Sequence, residues 1–203
     1  AFVGDLTLDE VLASTDADGV RFGDELQRIG YDGAAKLGER KFHSYLELHI
    51  EQGPVLDRIG IDIGIVVGGF KSRGLKIAVR GNTAHVGPTP MDERQNALVG
   101  AAYLITEVDA IGWRHHPQGG KTTTPQISCF PNLPGIIAET AELTVDFRHP
   151  DPEVADQMLE EVRAAMVTAS EKANVSMEIV ESWMFGDNPF SDACIATLEE
   201  TAD

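Results

Sequence analysis

Residues 75–108, LKIAVRGNTAHVGPTPMDERQNALVGAAYLITEV, decide the fold of this chain. Leu75 to Val79 alternate between apolar and other side chains, a period of two that predicts a β-strand. Gly81 to Pro90 are rich in Gly, Thr and Pro, which is typical of a loop. Thr89 is expected to cap a following helix, with Pro90 in its first turn. That helix is predicted because apolar residues recur at spacings of three and four, at Leu98, Ala101, Ala102, Ile105 and Val108.

The sequence after this unit continues the exchange of strands and helices. Alternation predicts strands over Thr123 to Phe130, Glu139 to Phe147 and Val175 to Trp183. Asp151-Pro152 is expected to begin a second helix. The inner stripe of that helix is predicted to be Ala155, Leu159, Val162, Met166 and Ala169. The order β-α-β-β-α-β is the split βαβ, ferredoxin-like arrangement, so residues 70–185 are expected to form an α+β domain.

Two flanking regions, residues 1–69 and 186–203, are expected to hold shorter elements. Capping signals and helical periodicity predict helices after Thr7-Leu8-Asp9-Glu10, over Phe22 to Ile29, at Val55-Leu56 and over Ser191 to Ala202. An alternating pattern predicts a strand over Phe42 to Glu51, with apolar residues at 42, 46, 48 and 50, and a further strand is predicted over Ile61 to Val67. In the first of these strands the apolar face is expected to be buried.

The composition and charge exclude several classes of function. The 203 residues include 16 basic and 33 acidic side chains, a net charge of −17, and 42% are hydrophobic. These proportions are typical of a soluble globular protein, and the absence of Lys/Arg clusters predicts no nucleic-acid partner. No apolar run approaches the roughly 20 residues of a membrane span. Cys129 and Cys194 lack the spacing of a thiolate metal site or a disulfide framework, so a cytoplasmic location is expected.

Two segments carry residue types that bind metal ions. Glu47, His49 and Glu51 share one face of a predicted strand, which is either the wetter side of a half-buried sheet or a ligand with orienting carboxylates. One histidine cannot form a site, and the chain has no HExxH motif. Ser14 to Glu25 is similar to a calcium loop, but its first ligand would be Ser and Arg21 takes an apolar position, so a backbone turn is favoured.

Two further residues are candidates for substrate binding. His85 stands in the loop before a helix, where free N–H groups favour an anion or oxyanion pocket. The alternative is that Gly and Pro shape a tight connection and His85 is a surface residue. Arg148 either binds a carboxylate with two hydrogen bonds or pairs with Asp146 or Asp151. His115-His116 is interpreted as solvated.

Three segments of the chain resemble one enzyme family. Glu47-Leu48-His49-Ile50-Glu51-Gln52-Gly53-Pro54-Val55-Leu56 closely resembles the ELHIEQGPVL signature of zinc-dependent amidohydrolases that cleave N-carbamoyl-L-amino acids, allantoate and N-carbamoyl-β-alanine. This is the hydantoinase/carbamoylase branch of the M20 metallopeptidase-like superfamily. Gly81 to Leu98 resembles the stretch G-x-x-x-H-x-G-x-T-P-M…R-x-x-A-L of that family, and Leu143 to Asp151 resembles its strand ending in D-x-R-H-x-D. The resemblance covers nearly the whole chain.

The resemblance implies a role for each matching residue. His49 corresponds to a zinc ligand of a two-metal centre, and Gln52 to a substrate-contacting residue beside it. His85 corresponds to a lid-domain histidine that holds the substrate and polarises its scissile group. In related dimers that histidine can reach the active site of the neighbouring subunit. Arg148 corresponds to the arginine that binds the substrate carboxylate.

The chain also departs from the family pattern. The family usually has a substrate-binding Asn at the position that Gly135 occupies here, and Asn132 is the candidate to replace it. Pro88 stands where Thr is usual, and Gln95-Asn96 stands where Arg-Asp is common. The exchange at Gly135 bears on the identity of the substrate.

The resemblance also implies an organisation into domains. Residues 70–185 correspond to a lid and dimerisation domain, inserted into an α/β zinc-hydrolase domain to which residues 1–69 and 186–203 belong. The implied cofactors are two divalent metal ions, with zinc, manganese and cobalt all suited to such ligands. Only His49 among the implied metal ligands lies in this chain, and the others, with the catalytic glutamate, are expected before Ala1 and after Asp203.

The expected substrate is a small molecule with a carboxylate and a ureido group, and the expected partner is a second copy bound through the lid. The 203-residue chain alone is predicted neither to bind zinc tightly nor to turn over substrate. For that chain the alternative is a non-catalytic dimerisation module. For the whole enzyme the alternative is a deacylase or dipeptidase of the same superfamily.

Overall fold

The first of two compact units holds three short helices. The computed structural model describes residues 2–39, 41–186 and 188–202, and it divides the chain into residues 1–62 and 63–203. The helices of the first unit are α1 (Leu8–Ala13), α2 (Phe22–Arg28) and α3 (Val55–Ile59). The predicted capping box is confirmed, because the Thr7 hydroxyl accepts the Glu10 N–H and the Glu10 carboxylate accepts the Thr7 N–H.

The second unit contains the predicted alternation of strands and helices. Its elements are β1 (Lys71–Arg80), β2 (Ala84–His85), α4 (Ala97–His115), β3 (Lys121–Phe130), β4 (Ile136–Ile137), β5 (Thr140–His149), α5 (Pro152–Ala173), β6 (Ser176–Phe185) and α6 (Asp192–Ala202). The order β1-α4-β3-β5-α5-β6 confirms the predicted β-α-β-β-α-β arrangement. Among the described residues, no helix combines the length and the apolar character that crossing a bilayer requires.

One antiparallel sheet organises this unit. Its strand order is β3-β5-β1-β6, and every neighbouring pair is antiparallel. In the centre, Leu75 lies opposite Val145 and Ile77 opposite Leu143. Because side chains alternate along a strand, these residues point to one face, where α4 and α5 pack. The other face of the sheet carries no helix of this unit among the described residues.

The core lies between the sheet and the two long helices. Its fully buried large side chains include Ile77, Val79, Leu104, Val108, Ile111, Leu143, Val145, Phe147, Met158 and Val162. Each such side chain contributes about 1.5–3 kcal/mol by leaving water. The predicted inner stripe of α5 is buried as expected, except that Leu159 is partly buried and Met158 is fully buried.

Helix α4 begins later than the sequence suggested. Asn96, and not Thr89, is the N-cap, and its side-chain oxygen accepts the N–H groups of two first-turn residues at 3.1 and 3.4 Å. The hydroxyl of Thr89 is engaged elsewhere, since it donates to the carbonyl oxygen of His85 at 2.7 Å. Arg94 is extended, with φ −76° and ψ 137°, and this interrupts any helix that starts at Pro90.

Two predicted strands are wrong for the described chain. Phe42 to Glu51 and Ile61 to Val67 form no strand, and Leu48 and Ile50 of the predicted buried face are exposed. Alternation selects which side chains share a face, but a strand also needs a neighbour for its backbone N–H and C=O groups. Neither segment has a strand neighbour within residues 2–39, 41–186 and 188–202.

The boundary between the units lies close to the predicted domain boundary. Residues 63–69 group with the second unit. They lie beside the segment after β6, because the Gly69 N–H donates to the Asn188 carbonyl at 3.4 Å and the Phe190 N–H donates to the Val67 carbonyl at 3.1 Å. The assignment of residues 1–69 and 186–203 to a catalytic domain stays a prediction.

The close approach of Trp183 to Gly74 gives a first testable prediction. A Cβ atom on Gly74 would lie 1.9 Å from Cε2 of Trp183, so Gly74→Ala must expel the indole ring from β1. We expect a loss of about 1–3 kcal/mol in the free energy of unfolding of the 203-residue chain. In a Trp113→Phe background, the Trp183 emission should shift to longer wavelength.

A matched control is Gly69→Ala, since a Cβ atom there would meet nothing closer than 3.9 Å. That variant should unfold like the parent chain in a urea titration. The cost of Gly74→Ala should also shrink when Trp183 is already alanine. Equal costs in both backgrounds would show that the indole ring is not what the new methyl group meets.

Candidate functional site

A two-stranded ribbon at one end of the large sheet carries His85. In this ribbon β2 pairs with β4, with Ala84 opposite Ile137 and His85 opposite Ile136. The Val86 N–H donates to the Gly135 carbonyl at 2.9 Å and extends the pairing. The ribbon therefore brings His85 next to the loop 131–135, which contains Asn132.

The imidazole of His85 is oriented by its own loop. The Gly87 N–H donates to Nδ1 of His85 at 3.0 Å, and the side chain is otherwise exposed. Because Nδ1 accepts this hydrogen bond, the neutral ring carries its proton on Nε2. His85 therefore presents an N–H donor outward, which is what a developing oxyanion requires.

Arg94 holds this loop, and the sequence reasoning missed it. Its Nη2 donates to the carbonyl oxygens of Val86 and Thr89 at 2.7 and 2.9 Å, and its Nε donates to Thr89 at 3.2 Å. The loop on which His85 lies is thus tied to a guanidinium at two carbonyls. Arg94 stands in the quoted R-x-x-A-L stretch, but its partners are backbone oxygens, which a sequence does not reveal.

Gln95 and Asn96, which depart from the family pattern, have structural roles. The Asn82 amide donates to the Gln95 side-chain oxygen at 2.5 Å, and the Asn82 N–H donates to the Gln95 carbonyl at 2.9 Å. A Cβ atom on Gly81 would lie only 2.0 Å from that carbonyl oxygen, so glycine is required there. Together with the cap made by Asn96, these contacts close the base of the loop.

Gly135 explains how the loop 131–135 differs from the family pattern. Its φ of +81° is left-handed, a conformation that glycine adopts freely and that asparagine adopts more readily than most residues. A Cβ atom there would meet nothing within 4 Å. The exchange therefore changes the chemistry of the loop rather than its backbone. Asn132, the candidate replacement, is exposed three positions earlier.

Arg148 lies on the face of the sheet opposite to the helices. Its Nε donates to Oδ1 of Asp146 at 2.8 Å, and Cζ lies 5.5 Å from the ring centroid of Phe185. Of the two earlier alternatives, the pairing with Asp146 is therefore present. The hydrogen bond to Asp146 raises the pKa of the Arg148 guanidinium above its ordinary value.

His85 and Arg148 do not lie together. The His85 ribbon follows the end of the sheet where Arg80 pairs with Thr140, whereas Arg148 lies eight residues farther along β5. At about 3.3 Å per residue, roughly 25 Å of strand lies between Thr140 and Arg148. The structure thus places two predicted substrate-binding residues at opposite ends of one sheet.

His49 and Gln52 lie in the first unit, in a segment without regular structure. Both are exposed, and Gln52 has a φ of +54°, which is uncommon for a residue other than glycine. Glu51 has a structural role, because its carboxylate accepts the N–H groups of Val55 and Leu56 at the start of α3.

The chemistry of His49 fits one position in a metal site. Its Nδ1 lies 2.5 Å from the carbonyl oxygen of Ile50. Metal-binding histidines typically donate one ring N–H to such an oxygen and ligate with the other nitrogen. If His49 binds a metal, Nε2 is therefore the nitrogen available to do so. The described part of the chain holds no group of three or more His, Cys, Asp or Glu side chains placed to bind a metal.

The segment similar to a calcium loop is a backbone turn, as the sequence favoured. Oδ1 of Asp16 accepts the N–H groups of Asp18 and Val20, both at 2.9 Å. That oxygen atom serves the turn before α2.

The interpretation of His115 as solvated is wrong, whereas His116 is exposed. Nε2 of His115 lies 2.6 Å from a carboxylate oxygen of Glu161 on α5. Burial raises the pKa of Glu161, but hydrogen bonds from His115 and Arg114 outweigh burial and lower it. The partner lies 46 positions away, so local sequence does not reveal the contact.

Known proteins match this chain over most of its residues, and solved structures among them have the same fold. A family model described as "Peptidase dimerisation domain" matches residues 67–174, more than half of the chain. A crystal structure of an amidase of the hydantoinase/carbamoylase family from Burkholderia vietnamiensis superposes with a TM-score of 0.83 and 36% identity, covering 100% of this chain and 49% of that one.

Curated relatives are named as enzymes. The N-carbamoyl-L-amino-acid amidohydrolase of Rhizobium meliloti is 33% identical over 202 residues, which is 100% of this chain and 48% of the relative. The allantoate deiminase of Arabidopsis thaliana is 28% identical and covers 77% of this chain and 32% of the relative. The chain spans about half the length of such relatives, or less. From the matched domain and the sheet topology, we conclude that the chain belongs to the M20 peptidase dimerisation-domain family.

Proposed function

We propose that this chain is part of a longer metal-dependent amidohydrolase that cleaves the ureido or amide C–N bond of N-carbamoyl-L-amino acids or allantoate-like substrates. The observation that carries this proposal is the presentation of Nε2–H by His85, whose Nδ1 accepts the Gly87 N–H. Relatives along the whole chain are named as enzymes of this kind. We also propose a cytoplasmic location, which suits two free cysteines.

In this proposal His49 supplies one ligand to a centre of two divalent metal ions, zinc, manganese or cobalt. When bound, such a centre lowers the pKa of a water molecule and so provides a nucleophile at neutral pH. The contribution of this chain is to hold His49 with Nδ1 against the Ile50 carbonyl, so that Nε2 would be the atom that binds the metal. Gln52, three residues later, contacts the substrate beside it.

His85 acts on the scissile group of the substrate. Attack on the ureido carbonyl converts its oxygen into an oxyanion, and Nε2–H of His85 donates a hydrogen bond to that oxygen. The three hydrogen bonds of Arg94 fix the loop before the reaction begins, so little reorganisation is needed. Asn132, in the adjacent loop, contributes a further polar contact to the substrate.

Arg148 binds the carboxylate of the substrate with its guanidinium. Because His85 lies at the opposite end of the sheet, we propose that the two residues serve one substrate from two copies of the chain. The homodimer would form through β3, which has a sheet neighbour on one side only in the described structure, and through α4, which packs beside it.

For the isolated 203-residue chain we propose a different activity, that of a dimerisation module without catalysis. The observation that favours it is the complete β-α-β-β-α-β unit with its own core, compared with a single metal-ligating candidate, His49. We expect no stoichiometric zinc on this polypeptide after purification in zinc-containing buffer. Zinc bound in a one-to-one ratio, measured by atomic emission, would contradict this.

A substrate panel tests the enzyme proposal and separates it from the deacylase or dipeptidase alternative. The longer protein is assayed with N-carbamoyl, N-acetyl and dipeptide derivatives of the same amino acids, and with allantoate. We expect a ureido substrate to exceed the acetyl and dipeptide compounds in kcat/KM by at least about 10²-fold, as hydrogen bonding to the terminal NH2 of the ureido group allows. A preference for acetyl or dipeptide compounds would favour the alternative.

A further inference from the structure

The side chains of Asp146 and Arg148 meet edge to edge on the open face of β5. Oδ1 of Asp146 accepts from Nε at 2.8 Å, and Oδ2 lies 3.4 Å from Nη2. A guanidinium has five N–H groups in a fixed plane. Since Asp146 takes the Nε–H and one Nη2–H, three donors remain, and they lie at the Nη1 and Nη2 end.

The surroundings of the pair restrict the guanidinium further. The Asp146 side chain is 17% exposed and the Arg148 side chain 46% exposed, so the carboxylate lies deeper than the cation. Across the sheet, Asp146 lies opposite Gly74, and the indole ring of Trp183 lies over that glycine. The ring of Phe185 lies beside the guanidinium, with its centroid 5.5 Å from Cζ.

We infer that Asp146 is a positioning residue, which makes Arg148 bind the substrate carboxylate only through its Nη1 and Nη2 end. This inference rests on the proposed function of Arg148 and deepens it. A carboxylate that approaches this end meets two parallel N–H groups, so binding is selective for a planar, two-oxygen anion. Asp146 also offsets the positive charge of Arg148, which weakens the attraction of Arg148 for an anionic substrate.

Because Asp146 offsets the charge of Arg148, the direction in which KM changes when Asp146 is removed tests the inference. If charge alone decided affinity, removing the Asp146 carboxylate would tighten binding of an anionic substrate and lower KM. If Asp146 positions Arg148, the same change frees the guanidinium to rotate and raises KM. Glu142 provides a matched control, because it lies on the same face of β5 and pairs with Lys76 at 2.9 Å.

The experiment compares Asp146→Ala, Asp146→Asn and Glu142→Gln in the longer protein. Each is assayed with an N-carbamoyl-L-amino acid and with the N-carbamoyl amine that lacks its carboxylate. We expect KM for the first substrate to rise about 10–100-fold in Asp146→Ala, less in Asp146→Asn, with kcat nearly unchanged. The carboxylate-free substrate and the Glu142→Gln variant should show no such change.

Equal losses for both substrates would overturn the inference, as would a lower KM for the carboxylate substrate. NMR of the 15N-labelled 203-residue chain supplies a readout independent of turnover. On titration with N-carbamoylglycine, the Arg148 Nε–H resonance should stay in place while the Nη protons shift. A shift of Nε–H instead would place the ligand on the Asp146 edge and refute the inference. A longer protein without hydrolysis would count against the proposed function alone.

Discussion

Replacing His49 by alanine in the longer protein is expected to abolish metal loading and to lower turnover by about 10³-fold or more. Nδ1 of His49 lies against the Ile50 carbonyl, which leaves Nε2 free to bind the proposed metal. The methyl group of alanine offers no replacement ligand. Metal content is measured by atomic emission after dialysis, and hydrolysis of N-carbamoyl-L-amino acids is measured on the same samples.

His43→Ala is the matched control, since His43 is an exposed histidine of the same irregular segment. That variant should keep its metal and its turnover. If His49→Ala retained full metal occupancy and normal rates, His49 would be a surface histidine and the proposed metal chemistry would lose its support in this chain.

The second large effect is expected at His85. His85→Ala should leave metal content unchanged and slow turnover by about 10²–10³-fold, the usual loss when one oxyanion donor is removed. The reason is that Nε2–H is the donor of the neutral ring, because Nδ1 accepts the Gly87 N–H. Steady-state kinetics with saturating substrate measure the change in kcat.

Two further variants test whether the lost rate comes from the missing N–H donor of His85 or from the missing volume of its side chain. His85→Gln keeps an N–H donor at a similar distance from the backbone and should recover part of the lost rate. His116→Ala removes an exposed histidine of the same unit and should have no effect. Unchanged kinetics in His85→Ala would return His85 to the status of a surface residue in a Gly- and Pro-shaped loop.

The fold of the second unit could be predicted from sequence because the patterns that determine its strands and helices lie within short segments. Alternation in Leu75 to Val79 and the three- and four-residue spacing of α5 each report one buried face, and both faces meet in one core. The order of segments then selects the split βαβ topology. Met158 is fully buried where Leu159 was predicted to be, because an apolar helical stripe is wide enough to admit either residue.

Other features depended on contacts that no local pattern contains. The segment around His49 alternates like a strand, but pairing requires a neighbour, and the described residues offer none. Thr89 and Asn96 are both good caps, and the choice between them depends on the bond from Thr89 to the His85 carbonyl. The hydrogen bonds of Arg94 to the loop and of Arg148 to Asp146 depend on where particular oxygen atoms lie after folding.

The separation of His85 and Arg148 along one sheet has a consequence for the proposed enzyme in dilute solution. An amino-acid-sized molecule spans roughly 10 Å, well short of the strand that lies between these two groups. A reaction centre that uses both His85 and Arg148 would therefore exist only in the dimer and would be lost when the dimer dissociates. Specific activity would fall as the enzyme is diluted below its self-association constant, although every polypeptide stays folded and keeps its metal.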